Sequence, residues 1–146
     1  MDLIFPTDYK VDIERLKSDT NKVLEEYPIN EHNQICLQNT SENWDVYQGT
    51  GDSRLSHSPM YGYSEKDFTY FNPAFNGTVF EEIWNTFPHK MGRMRLMKVP
   101  AKKCYWMHND PGMVRYHFAI ITMKIVLFCI VITIIFIFPP MECVMK

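Results

Sequence analysis

His108, Asn109 and Asp110 set an imidazole and a carboxylate two positions apart. In an extended segment, residues i and i+2 leave the same side of the backbone, so both groups can reach one cation. One imidazole and one carboxylate make up two of the three ligands of a 2-His-1-carboxylate triad, the arrangement that leaves positions open on iron. Taken alone, the triplet equally describes a turn capped by its aspartate, which is the commoner fate of such sequences. Arg115 and His117 follow closely, in the run VRYHFAIIT from Val114 to Thr122. Its alternation predicts a strand with Arg115, His117, Ala119 and Ile121 on one face and Tyr116, Phe118 and Ile120 on the other. A guanidinium and an imidazole side by side suit an anionic co-substrate such as a dicarboxylate, because arginine grips a carboxylate through a planar fork. Each residue singly also fits an ordinary salt bridge or a satisfied histidine.

The longer stretch RLMKVPAKKCYWMHNDPGMVRYHFAIIT resembles the core of aspartyl/asparaginyl β-hydroxylase-type domains, which are Fe(II)- and 2-oxoglutarate-dependent dioxygenases. In that family a strand with a proline-containing turn leads to the first histidine ligand, and an Arg-x-His strand follows. The resemblance implies that His108 is an iron ligand and Asp110 the carboxylate ligand, with Arg115 and His117 lining the 2-oxoglutarate pocket. It also implies a double-stranded β-helix, a relative of the jelly roll and cupin folds. The substrate would be an Asp, Asn or Pro side chain of a protein, or a small molecule. The family's distal histidine and far arginine come well after the Arg-x-His strand, and no histidine follows His117 here. The expectation is therefore an incomplete metal site with negligible turnover.

The elements that must hold these residues are partly readable. Val11, Ile13, Leu16, Val23, Leu24 and Tyr27 recur at helical spacing from Asp8 to Tyr27, and Pro28 closes the segment. From Ile29 to Asn76 the chain turns polar and aromatic, with Gly49, Gly51, Pro59, Gly62 and Pro73 punctuating short apolar runs, which predicts loops and short strands. Thr78 and Glu81 stand at capping-box spacing before Val79, Phe80, Ile83, Trp84 and Phe87, so a short helix should end before Pro88 and pack on a sheet. Arg93 to Val99 alternates basic and apolar residues and Pro100 to Lys102 supplies a turn, predicting two strands joined there. The whole reads as mostly β with N-terminal helices.

The 20 residues 119–138 are interrupted only by Lys124, and Ile125 to Phe138 carries no charge. A membrane span needs roughly 20 apolar residues, so this tail is one candidate for an anchor. The alternative is a one-base frame change just after Thr122. Because isoleucine and methionine codons then yield Asn, Asp, His or Tyr, a shifted frame turns the apolar run into strands and polar turns. On this reading residues 1–122 form a partial dioxygenase-like domain and residues 123–146 a hydrophobic tail, neither a selected anchor nor a core element.

The 146 residues, 46% hydrophobic and 22% charged, suit one domain with a buried core. A formal charge of -2 gives none of the basic excess that nucleic acid binding usually requires. Cys36, Cys104, Cys129 and Cys143 form no CxxC pair and follow no signal peptide, so reduced thiols and a cytoplasmic setting are expected, with membrane attachment through the tail as the alternative. His32, His57 and His89 are scattered, Gly49 and Gly51 lack the spacing of a phosphate loop, and the aromatic residues read as packing.

Overall fold

The computed structural model describes residues 8–42, 45–100, 113–122 and 128–137, with side chains described over 8–42, 45–99 and 115–120. In chain order its regular elements are α1 (Ile13–Glu26), β1 (Gln34–Cys36), β2 (Gln38–Asn39), β3 (Tyr70–Phe71), α2 (Val79–Thr86), β4 (Met91–Pro100), β5 (Met113–Thr122) and β6 (Phe128–Ile137). Single 3-10 turns at Glu65–Asp67 and Pro73–Phe75 flank β3. This is a small mixed fold of two helices and antiparallel strands.

Helix α1 begins later than its hydrophobic spacing suggests. Asp12 accepts hydrogen bonds from the N–H groups of Glu14 and Arg15, which satisfies two of the donors a helix start leaves orphaned. Its buried face is Leu16, Asp19, Thr20 and Val23, whereas Ile13 is exposed. Two polar residues lie on that face because each has a partner: Thr20 donates to the Leu16 carbonyl, and Asp19 accepts the N–H of Val79 at 2.9 Å. Thus α1 caps α2. Thr78 adds the local cap, accepting from the Phe80 N–H, while the Glu81 carboxylate takes the N–H of Gly77 rather than that of Thr78. The expected reciprocal box is replaced by three separate acceptors at one helix start.

The principal sheet has the order β1-β4-β6-β5, all antiparallel, and β2 with β3 forms a separate pair. Both helices cover one face of the principal sheet. Leu16 and Val23 of α1 and Val79, Phe80 and Ile83 of α2 join Ile35, Leu37, Phe75, Met94, Leu96 and Ile120 in one apolar core, with Tyr116 and Phe118 packed at its margin. Fully burying side chains of this size contributes about 1.5–3 kcal/mol each. The alternation expected of β5 holds. Arg115, His117 and Ala119 are exposed, whereas Tyr116 and Phe118 are half-buried and Ile120 is buried against the core.

Strand β4 runs unbroken to Pro100, and the turn expected after it lies outside the described residues. Ten residues of the apolar run, Phe128–Ile137, form β6 between β4 and β5. The expected hydrophobic tail, residues 123–146, thus includes a strand whose backbone pairs with β4 and β5, while its side chains lie outside those described. The run from Ile130 to Ile135 is β-branched throughout, and such residues lose rotamer freedom in a helix and suit a pleated strand. Among the described residues no helix is long and apolar enough to cross a membrane.

Candidate functional site

The face of the sheet turned away from the helices carries Arg95, Arg115 and His117 beside a small buried apolar cluster of Cys36, Met60 and Phe68. Directly opposed residues of antiparallel strands project to the same side. Cys36 opposes Arg95, Arg95 opposes Thr133, and Thr133 opposes His117, so Arg95 and His117 lie in one row across all four strands. Two strand spacings separate their backbones, about 10 Å. Arg115 stands two residues before His117 on the same face of β5.

The two arginines of β4 have different surroundings. Arg93 is held on every side: Nη1 donates to the carbonyls of Gly49 (2.6 Å) and Gly51 (3.1 Å), while Nε and Nη2 donate to the two carboxylate oxygens of Glu65 (3.1 and 2.8 Å). Its guanidinium also lies 5.6 Å from the centre of the Phe68 ring, within cation–π range. The loop that supplies the carbonyls needs its glycines. A Cβ on Gly49 would fall 2.3 Å from Cys36 Sγ, and Gly51 has φ +89°, a backbone conformation that favours glycine.

Arg95 is only 4% exposed and has less to hold it. Nη1 donates to Gln34 Oε1 at 3.0 Å, an oxygen that also takes the Gly51 N–H at 3.1 Å. Its buried Nε–H has no hydrogen-bond partner among the described residues. Burial, reinforced by the neighbouring Arg93 charge, pushes Arg95 down to about 9, which still leaves it cationic at neutral pH. No counter-charge comes from Cys36, whose thiol donates to the Gln38 carbonyl at 2.9 Å and is pushed up to about 11 by burial, so it stays protonated. Glu65 is already committed to Arg93.

His117 is exposed at the β5 edge, yet desolvation is the largest cause lowering its pKa, followed by the like-sign fields of Arg115 and Arg95. A histidine so placed is neutral near pH 7 and can donate or accept one hydrogen bond.

Of the residues singled out in the sequence, Arg115 and His117 are brought together on this face, whereas His108 and Asp110 lie outside the described residues. Among the described residues no three His, Cys, Asp or Glu side chains gather as a metal-binding group. His32 lies beside Glu31, and His89 packs near the rings of Phe87 and Tyr116. Neither joins the cationic row. A shallow, open depression lined by Phe68, Thr69, Trp84, Asn85, His89, Lys90 and Met91 includes none of Arg95, Arg115 and His117. Sequence reasoning missed Arg95, treating it only as part of a basic and apolar alternation. Two arginines two positions apart on a predicted strand were the available signal, but their side of the sheet depends on pairing with distant strands. No protein-family model matches the chain, and no curated protein matches it.

Proposed function

We propose that the chain is a domain of the Fe(II)- and 2-oxoglutarate-dependent hydroxylase type, with the antiparallel sheet serving as part of a double-stranded β-helix. The observation that carries this reading is the placement of Arg115 and His117 on the same side of that sheet as Arg95. A guanidinium and an imidazole side by side, as at Arg115 and His117, suit a small dicarboxylate. On this reading Arg115 and His117 bind and orient 2-oxoglutarate, and His108 and Asp110 hold the iron.

Bound iron would supply the site at which dioxygen and the keto acid react, giving succinate, carbon dioxide and a hydroxylated substrate. The chain's own contribution is placement. Arg115 contributes fixed positive charge, and neutral His117 offers a directional hydrogen bond. The apolar core beneath them keeps the strand backbones in register, so that the heads hold their spacing. The substrate is an Asp, Asn or Pro side chain or a small molecule, and the reduced, buried thiol of Cys36 is in keeping with a cytoplasmic setting.

Anaerobic titration with Fe(II), read by calorimetry on the full chain, tests the reading. Binding should be lost in His108→Ala, weakened in Asp110→Ala and unchanged in His32→Ala and His57→Ala. Unchanged affinity in His108→Ala would return His108, Asn109 and Asp110 to an ordinary capped turn.

A further inference from the structure

We propose that Asn76 is a modification site at which the folded chain converts spontaneously to aspartate and isoaspartate, and that the Glu81 carboxylate slows the conversion by holding the attacking backbone amide. This chemistry stands apart from the hydroxylase reading and does not depend on it.

Two adjacent residues carry the reaction. Asn76 and Gly77 form the one Asn-Gly pair in the sequence. The Gly77 amide nitrogen gives up its proton and attacks Asn76 Cγ, the Cγ–Nδ2 bond breaks, and ammonia leaves as a five-membered succinimide closes. Water then opens the ring at either carbonyl, giving aspartate or, with the backbone routed through Cγ, isoaspartate. One water is consumed and one ammonia released, with no change of oxidation state. Glycine favours the attack because no Cβ shields its nitrogen and its backbone can follow ring closure.

The fold exposes this pair and leaves its side chain unheld. Asn76 and Gly77 both face solvent, between the turn at Pro73–Phe75 and the start of α2. Among the described residues the Asn76 side-chain amide makes no hydrogen bond, while its backbone N–H donates to the Pro73 carbonyl at 3.2 Å. Gly77 has φ +77°, and no atom lies within 4 Å of where a Cβ would stand, so the pair has room to rotate. Asn39 and Asn72 differ on both counts, because each is buried, and Asn72 precedes Pro73, which has no N–H to attack with.

Glu81 supplies the restraint. From the first turn of α2 its Oε2 accepts the Gly77 N–H at 2.6 Å, and that nitrogen is the nucleophile. A carboxylate bonded to this hydrogen opposes negative charge on the nitrogen and so keeps the proton in place. Asn76 rests at φ −58° and ψ 142°, whereas ring closure needs ψ to turn until Gly77 N lies beside Cβ, a rotation that breaks the bond to Glu81. Reaction therefore waits on opening of the first turn of α2. Aspartate at this position adds a carboxylate just ahead of that helix, and isoaspartate lengthens the backbone by one atom next to the Thr78 cap.

Incubation of the folded full chain at mildly alkaline pH, followed by peptide mass spectrometry that separates aspartate from isoaspartate, tests the proposal. Asn76 should convert first among the asparagines, at a rate that rises with pH. Glu81→Ala should quicken its conversion about tenfold, as loss of one hydrogen bond to a charged group allows, and Glu81→Gln, which keeps a neutral acceptor, should fall between. A rise confined to Asn76 supports the restraint. If Glu81→Ala quickens every asparagine alike, its fold is lost and Glu81→Gln decides alone. Asn76 intact in both the wild-type chain and the Glu81 variants would overturn the site, and equal rates at Asn76 in all of them would overturn the role of Glu81.

Discussion

Arg93 and Glu65 form a two-pronged ion pair in which Nη2 lies 2.8 Å from Oε1 and Nε 3.1 Å from Oε2, with both side chains largely buried. The pair ties β4 to the turn at Glu65–Asp67, and through Arg93 Nη1 to the Gly49–Gly51 loop. Because it closes a long connection onto the sheet, its loss should be felt well beyond two residues.

Removing the acid alone leaves a buried cation uncompensated. Glu65→Gln is expected to destabilise the fold by about 3 kcal/mol, the lower end of what breaking a buried pair costs. Urea unfolding followed by circular dichroism measures it. A change under about 0.5 kcal/mol, the usual range for surface substitutions, would mean that the loop is held by its backbone contacts and not by this pair.

Asp19 caps a helix that is 60 positions away in sequence, accepting the Val79 N–H at 2.9 Å. Asp19→Ala should cost about 1 kcal/mol, the typical price of a lost cap, and Asp19→Asn should recover much of it because an amide oxygen still accepts the hydrogen bond. The same unfolding measurement applies. Equal losses in both variants would show that the charge of Asp19, placed beside Lys22 and Arg15, matters more than its bond to Val79.

His117 makes stability depend on pH. The folded protein holds this group below its ordinary value of about 6.5, so the unfolded chain takes up a proton first as pH falls. The contribution of His117 is therefore complete above about 6.5 and is lost as pH drops through its folded midpoint. Urea midpoints between pH 5 and 7.5 should rise with pH more steeply in the wild-type chain than in His117→Gln. Parallel curves would contradict the placement of His117 beside Arg115 and Arg95. On the carboxylate reading, saturating 2-oxoglutarate should also raise the midpoint of the His117 ring resonances, because an anion favours the protonated ring.

The position of β6 is testable through its backbone. Proline removes a ladder donor and is tolerated almost solely at sheet edges, and β6 lies between β4 and β5 with Thr133 opposing both Arg95 and His117. Thr133→Pro should cost about 3 kcal/mol or more and broaden the amide resonances of β4 and β5. A harmless substitution would favour the reading of residues 123–146 as a segment apart from the domain.

Local pattern alone determined a good part of this protein. The apolar spacing before Pro28 announced α1, Thr78 and Pro88 bracketed α2, and the alternation from Val114 to Thr122 assigned Arg115 and His117 to the side opposite Tyr116 and Phe118. These features depend on neighbours within one helical turn or one pleat, so adjacent residues suffice to set them. The start of α1 at Ile13, the capping of Val79 by Asp19 and the pairing of Arg93 with Glu65 depend on side chains tens of positions apart. The chemically important case is the row joining Cys36, Arg95, Thr133 and His117. A strand's own alternation says which residues share a side, but not which side faces the core or which residue of another strand stands opposite. Tertiary structure decided both, because burying Met94 and Leu96 under the helices turned Arg95 to the other face, and β6 entering between β4 and β5 set that arginine in register with His117.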